Sequence, residues 1–356
     1  MIKRNFLGLA FIFLFYMQVS TANPLVNISL TPGFTIQITS DNLPEKHLYL
    51  SRRVSGNWIN LDSALIMPGT PVHFEGSLDA PEVLHLRLEN SGKTISFFAE
   101  NSTIEIIPDF EITENTKVTG STINDEYQMY LSSMNDLNQQ KNEAYKLYTE
   151  ANRSGDKARK EEAIKTFDQI SSLEMERNKK FVLENKGSWI SPYIIRTSMS
   201  YTLNLEELKS LVYQLENKID ASIYVKQLKD HIDILDKVDI GKGFTEFQLP
   251  TPEGDLLSLS DLAGRNYLLI DFKDKGFDIL GVSFDTNREN WLKAIEDDKL
   301  IWHQVSDLRG WASAAGKLYG INSIPHTILL DPDGVIIAKN LSTEELREKL
   351  TEFLLK

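Results

Sequence analysis

The stretch 324-IPHTILLDPDGVIIA-338 decides how the C-terminal part of this chain is interpreted. Two apolar runs, Thr327–Leu330 and Val335–Ala338, flank the turn Asp331-Pro332-Asp333-Gly334. Apolar runs separated by a Pro- and Gly-containing turn predict two strands joined by a tight turn. The pair Ile324-Pro325 stands directly before the first of them. The stretch therefore predicts a strand–turn–strand unit that is entered through an Ile-Pro bond.

Upstream of this unit, the pattern alternates between strands and helices. Tyr267–Phe272 and Phe277–Phe284 are apolar throughout, which is typical of strands buried on both faces. We also expect a β-hairpin formed by Phe244–Leu249 and Leu256–Leu259, helices through Trp291 and Ala314, and a closing helix from Ser342. The order of these elements predicts one α/β domain over residues 241–356.

This arrangement resembles the thioredoxin fold, and more narrowly the exported redoxins of the TlpA/ResA and AhpC/TSA group, which are thiol-disulfide oxidoreductases. The resemblance implies a strand that runs into a Trp-Cys-x-x-Cys loop, followed by a crossover helix. Here Phe272 is followed at once by Lys273-Asp274-Lys275-Gly276 and then by the next apolar strand. The active-site segment is missing, and the chain contains no cysteine.

The short connection limits how the two strands pair. Two parallel strands need a crossover of about a dozen residues or more. The sequence therefore predicts either a hairpin, which Asp274-Lys275-Gly276 would suit, or a locally disrupted sheet. Loss of the crossover helix should also uncover part of one apolar face of the sheet.

The resemblance implies a substrate-binding role for Ile324 and Pro325 alone. In the family this proline is cis and its neighbouring backbone accepts an extended substrate, although a cis proline also has a plain structural use in a turn. Trp302 and His303 resemble family positions without an assigned chemical role. We predict no catalytic residue, no cofactor and no metal site, because the sequence has neither a nucleophile motif nor metal-ligand spacing.

Composition excludes several classes of protein. The net charge is −13, and it becomes −15 if residues 1–22 are removed, since these carry Lys3 and Arg4 and no acid. Such a charge argues against binding nucleic acid, which needs a basic face. Zero cysteines exclude disulfides, thiolate metal sites and a thiol nucleophile. The N-terminal residues predict an export signal at 1–22, with Lys3 and Arg4 before an apolar run and cleavage after Ala22.

Residues 25–118 predict an all-β, sandwich-like domain. Period-two alternation occurs at Phe34–Thr39 and Leu84–Glu89, and turn signals stand at Ser55-Gly56-Asn57, Pro68-Gly69 and Ser91-Gly92. His73 and His85 fall on the polar phase of their strands and are interpreted as solvated, because no second ligand stands at metal-binding spacing.

Residues 124–236 switch to a helical period. Asn152–Asp156 predicts the break of an antiparallel helical hairpin, and Asn204 with Glu207 predicts a capping box after a break at Ser191-Pro192. A further helix runs through Leu228 and Ile232, and His231 borders its apolar stripe. The fold class predicted for the whole chain is therefore α+β multidomain: a sandwich-like domain, a helical segment and an incomplete thioredoxin-like α/β domain.

Three functions stay open at this level. In the first hypothesis, the chain is a redox-inactive member of the family in the periplasm or cell envelope and binds an exported protein or peptide. Alternatively, it is an active oxidoreductase whose active-site segment is absent between Phe272 and Lys273. In the third hypothesis, the chain is an envelope adaptor that acts through the β-domain. No membrane-spanning segment is expected after signal cleavage.

Overall fold

The computed structural model describes residues 33–354, apart from 40, 42, 55, 264–266 and 269–276. The predicted export signal and the junction of Phe272 with Lys273 lie outside the described residues. Within the described part, the chain has no helix with the length and apolar character needed to cross a membrane.

The first part of the chain forms two four-stranded sheets. Alternating apolar residues explain the strands, since Ile36, Ile38, Leu84 and Leu86 are all fully buried in the core between the sheets, whereas Gln37 and His85 between them are more exposed. One sheet has the order β4-β1-β7-β8 and the other β3-β2-β5-β6, with one hydrophobic core between them. The strands are β1 (Phe34–Ile38), β2 (His47–Val54), β3 (Asn57–Leu65), β4 (Val72–Gly76), β5 (Glu82–Leu88), β6 (Thr94–Ala99), β7 (Thr103–Ile107) and β8 (Lys117–Thr119).

The turns of this sandwich fall at the predicted glycines. Gly56, Gly69 and Gly92 all adopt positive φ, a conformation that costs glycine little because it has no Cβ. Gly120, at the end of the last strand, has a φ of +84°, and a Cβ there would lie 2.1 Å from the carbonyl oxygen of Thr103. Only glycine fits where the chain leaves the sandwich.

The middle of the chain is helical. Its helices are α1 (Thr122–Ser154), α2 (Lys157–Glu184), α3 (Ile190–Ile194), α4 (Leu205–Val212) and α5 (Ile223–Lys237). The predicted break between α1 and α2 is narrower than expected, because Asn152 to Ser154 remain helical and the chain turns at Gly155, whose φ is 72°. The Asn204–Glu207 capping box is present.

The break expected at Ser191-Pro192 is wrong. Both residues lie inside α3, which continues into a π-helical turn at Ile195–Met199. Proline is tolerated in the first turn of a helix, where its missing N–H needs no partner, and Pro192 occupies that turn. Burial of Ile190, Ile194 and Ile195 in the helical core explains why the helix forms here.

The C-terminal part alternates between short strands and helices. Its elements are β9 (Gln248–Pro250), β10 (Leu256–Ser258), α6 (Leu259–Leu262), β11 (Tyr267–Leu268), β12 (Phe277–Asp278), β13 (Leu280–Val282), α7 (Arg288–Asp297), β14 (His303–Val305), α8 (Ala314–Leu318), β15 (Ile328–Leu330), β16 (Ile336–Lys339) and α9 (Thr343–Leu354). Strand β14, which pairs in parallel with β13, was not predicted. The antiparallel pairs β9–β10 and β15–β16 match the predicted hairpin and strand–turn–strand unit.

The hairpin alternative for the two strands around the short connection is wrong. Strand β11 pairs with β12 in parallel, with Tyr267 opposite Phe277 and Leu268 opposite Asp278. The pairing covers only these two positions, and the described strands of this region form four separate two-stranded pairs rather than one sheet. The second alternative, a locally disrupted sheet, agrees with this pattern. The mixed α and β architecture confirms the predicted fold class; the domain boundaries stay predictions.

Candidate binding cavity beside Ile324-Pro325

Ile324 and Pro325 lie at the mouth of an apolar cavity. The bond between them is cis, and the Ile324 side chain is 59% exposed. Helix α8 precedes the pair, with the Ser313 side chain accepting a hydrogen bond from the Gly316 N–H (3.5 Å) at its first turn. Strand β15 follows three residues later. The pair therefore joins a capped helix to a strand at the cavity edge.

The cavity has a volume of about 480 Å³, within the range of small-ligand sites. Strand β13, strand β15 and helix α8 form its walls, and the side chains it contacts are mostly apolar. Ile279, Leu280, Val282 and Phe284 line it and are only half-buried, although their sequence is that of strands covered on both faces. This partial exposure agrees with the expected loss of helical cover from one face. The further apolar lining residues include Phe247, Leu259, Ala315, Ile321, Ile328 and Leu330.

Three side-chain hydroxyl groups line the cavity, and those of Tyr319 and Ser283 are already hydrogen-bonded, whereas Thr327 is the third. The Tyr319 hydroxyl donates to the Thr245 carbonyl (2.8 Å) and accepts from the Thr245 N–H (3.0 Å). Burial raises the pKa of Tyr319 to about 12, so it is a neutral phenol at physiological pH. The Ser283 hydroxyl donates to the Asp285 carboxylate (2.6 Å) and accepts from the Asp285 N–H (3.0 Å). Among the described residues, no hydrogen bond joins any of these three hydroxyls to a histidine that would make it a nucleophile.

His326 adds a neutral polar group to the wall. Burial lowers the pKa of its imidazole below the usual value, and the positive charge of Lys339 lowers it further. Trp302 also lines the cavity. His303 does not, and its Nε2 lies 3.5 Å from the carboxylate of Asp278. Of the two residues that resemble family positions, Trp302 therefore lines the cavity, whereas His303 lies beside Asp278 instead.

This arrangement can bind but has no group for redox or nucleophilic chemistry. The chain has no cysteine, and the described residues contain no cluster of three His, Asp or Glu side chains that could hold a metal. Both residues singled out from the sequence, Ile324 and Pro325, line the cavity. Sequence reasoning missed Phe247 and Tyr319, and no local pattern indicates them, whereas Val282 belongs to the apolar strand that the short connection after Phe272 was expected to uncover.

Comparison with known families gives one match in the first part of the chain. The family described as "Domain of unknown function (DUF4369)" matches residues 34–127, that is, the sandwich and the first turn of α1. No match was found among curated proteins.

Several solved structures match this chain, and each match covers about one third of it. The thioredoxin domain of a thiol-disulfide oxidoreductase from Bacteroides vulgatus is 33% identical; the match covers 33% of this chain and 98% of that one, with a TM-score of 0.30. A thiol-disulfide oxidoreductase from Bacteroides fragilis is 34% identical, covering 32% and 100%, with a TM-score of 0.29. A thiol:disulfide interchange protein from Bacteroides sp. is 32% identical, covering 34% and 93%, with a TM-score of 0.31.

Proposed function

We propose that this chain, which belongs to the thioredoxin-like thiol-disulfide oxidoreductases, is a redox-inactive member that binds an extended apolar segment of a partner protein. The observation that carries the proposal is the apolar cavity beside Ile324-Pro325 in a chain with no cysteine. Thiol-disulfide exchange proceeds by attack of a thiolate on a disulfide sulfur, so this chain has no route to it.

The ligand class follows from the walls of the cavity. Apolar side chains from β13, β15 and α8 offer burial to an apolar side chain, and each buried methylene is worth about 0.8 kcal/mol. The neutral His326 adds a polar contact without adding a charge. An extended peptide with one large apolar side chain fits a site of about 480 Å³ better than a charged small molecule does.

A pair of matched variants tests the binding site. Ile324→Asp places a charge at the cavity mouth, whereas Ile240→Asp makes the same change at an equally exposed isoleucine (59%) that does not line the cavity. Fluorescence anisotropy would follow a labelled Leu-Val-Phe-Leu peptide. We expect Ile324→Asp to weaken binding at least about tenfold, since a charge is costly next to buried apolar groups, and Ile240→Asp to leave it unchanged. Equal binding by both variants would overturn the proposed site.

Redox activity is checked in a dithiol-driven insulin-reduction assay. We expect the rate to match the blank without protein. Turnover above that blank, in a preparation free of contaminating thioredoxin, would contradict the inactive assignment.

We also place the protein in the periplasm or cell envelope, and within the TlpA/ResA and AhpC/TSA group. The location is supported by the export-signal pattern at residues 1–22, and the subgroup by the resemblance of residues 241–356. N-terminal sequencing of material from the cell envelope should give Asn23 as the first residue. An intact Met1 in a membrane pellet would contradict signal cleavage.

A second candidate is an active oxidoreductase whose active-site segment is missing between Phe272 and Lys273. The parallel pairing of β11 with β12 favours it, because parallel strands are normally joined by a crossover and only eight residues separate Leu268 from Phe277. Resequencing the gene across these two codons decides between the candidates. An intervening Cys-x-x-Cys codon run would establish the second.

A further inference from the structure

The outer face of the sheet β3-β2-β5-β6 carries an arginine and tryptophan cluster that the cavity does not involve. Arg53 on β2 lies opposite Trp58 on β3, and Arg87 lies on the neighbouring strand β5. The guanidinium carbon of Arg87 is 4.6 Å from the centre of the Trp58 ring, and that of Arg53 is 5.3 Å away. The imidazole of His85 meets the same ring edge-on at 5.0 Å. Stacking on an aromatic ring holds a guanidinium in place while leaving its N–H groups available.

Positive charge is concentrated here in a chain whose net charge is −13. Arg53 and Arg87 form no ion pair with any carboxylate of the described residues, whereas the adjacent Arg52 pairs with Glu82. Burial lowers the pKa of His85 to about 4, and the charges of Arg53 and Arg87 lower it further. The imidazole is therefore neutral, with Nδ1 2.9 Å from the Ser96 hydroxyl.

A cleft of about 550 Å³ lies beside Arg87. Polar neutral groups and aromatic rings provide much of its wall, and they are Tyr49, Trp58, Asn60, Asn90 and Thr94. Arg87 Nη1 is 3.5 Å from Asn60 Oδ1. The other N–H groups of the Arg87 guanidinium have no protein acceptor among the interactions of the described residues.

The two other charged groups in the cleft already have partners. Glu89 accepts a hydrogen bond from the His47 N–H (3.3 Å), and Lys93 Nζ lies 2.7 Å from the Glu111 carboxylate. Glu89 keeps its negative charge, and of the two cations that line the cleft Arg87 is the one that forms no ion pair with the described residues.

We propose that this cleft binds an acidic carbohydrate, with the sugar carboxylate on the Arg87 guanidinium. A planar guanidinium binds a carboxylate through two parallel N–H···O bonds. The amide of Asn90 and the hydroxyl of Thr94 are donors and acceptors that sugar hydroxyls require, and Asn60 offers its Nδ2 as a donor, since its Oδ1 already accepts from the Ser51 hydroxyl (3.0 Å). Tyr49 supplies aromatic surface for the C–H groups of the sugar ring, while Trp58 holds the Arg87 guanidinium in place. The site is independent of the cavity beside Ile324-Pro325.

An acidic peptide fits this cleft less well. A peptide recognised by its side chains needs an apolar pocket for an anchor residue, and a peptide recognised by its backbone needs a free strand edge. The cleft lies on the face of the sheet and its neutral groups are mainly polar. A sugar with several hydroxyls and one carboxylate uses both the neutral groups and Arg87.

Calorimetric titration of the full chain with trigalacturonate at low ionic strength tests the proposal. We expect Arg87→Ala to weaken binding at least about tenfold and Arg87→Lys to weaken it less, because lysine keeps the charge but not the two-pronged geometry. Lys180→Ala makes the same charge change at an exposed position on α2 and should leave binding unchanged. Thermal melts establish whether each variant folds. If Arg87→Ala does not fold, the affinity of Arg87→Lys serves as the test.

Comparison ligands separate the alternatives. The neutral galactose trisaccharide should not bind, and poly-glutamate should bind more weakly than trigalacturonate. Absence of trigalacturonate binding, equal affinity of Arg87→Ala and the unaltered chain, or tighter binding of poly-glutamate would overturn the proposal.

Discussion

His231 is a single residue that joins the helical segment to the thioredoxin-like region. Its Nε2 lies 3.5 Å from the side-chain amide of Asn322, and its ring faces Gly320. Burial lowers the pKa of His231 to about 4, and the charge of Arg196 lowers it further. The folded chain therefore holds this imidazole neutral between about pH 4 and 6.5.

This shift predicts a loss of stability in acid. The unfolded chain protonates His231 below about pH 6.5 and the folded chain only near pH 4, so the free energy of unfolding falls as the pH falls through that window. His231→Gln removes this proton uptake. Between pH 7 and 4.5, we expect the free energy of unfolding of the variant to fall by about 2 kcal/mol less than that of the unaltered chain.

Urea denaturation at both pH values measures the difference. His73→Gln, at an exposed histidine on β4, is the control and should follow the unaltered chain. A His231→Gln curve parallel to that of His73→Gln would show that His231 does not set the acid response.

Among the elements, α1 protects the edge of the sandwich. Asn124 is fully buried in its first turn; its Oδ1 accepts from the Phe98 N–H (3.2 Å) and its Nδ2 donates to the Phe98 carbonyl (2.9 Å). These bonds satisfy both backbone groups of Phe98 on the edge strand β6. Open strand edges invite pairing with other chains, so this contact also limits association.

Asn124→Ala should therefore destabilise the protein. It leaves a buried N–H and a buried carbonyl without a partner, and each such group costs about 1–3 kcal/mol. We expect a loss of roughly 2–4 kcal/mol in the free energy of unfolding. Asn138→Ala makes the same change at an exposed position of α1 and should be neutral or slightly stabilising, because alanine is a better helix former. Equal stability of the two variants would show that the edge contact contributes nothing.

Sequence periodicity predicted the elements that bury one face and missed those determined by packing. The alternation in β1 and β5 and the Asn204–Glu207 box are local signals, and the structure contains all of them. Helix α3 departs from the sequence prediction because Pro192, which predicts a break, lies in the first turn of the helix, where proline is tolerated. Strand β14 has only three residues and is stabilised by its pairing with β13. The local sequence pattern does not predict this contact between distant segments.

The candidate site was predictable only in part for a similar reason. Ile324 and Pro325 could be named from their place before a strand. Phe247 and Tyr319 come from distant parts of the chain, and no local pattern places them in one cavity. The sequence did not decide how β11 and β12 pair, because the short segment Lys273–Gly276 also suits a hairpin turn. In the structure the two strands pair in parallel.

For the molecule as a whole, we infer that the short connection leaves an apolar face of the strands uncovered and that this face forms the binding cavity. Covering ~300 Å² of apolar surface is worth about 7 kcal/mol, at ~25 cal/mol per Å². A crossover helix restored between Phe272 and Lys273 should therefore stabilise the chain and occupy the cavity at the same time.

The most direct test is peptide binding by the full chain with and without such a helix, in which serines replace both cysteines of the Trp-Cys-x-x-Cys segment. We predict that the unaltered chain binds the labelled Leu-Val-Phe-Leu peptide and that the chain with the helix does not, while it melts at least about 5 °C higher. Equal peptide affinity in both chains would contradict the claim that the missing helix creates the site.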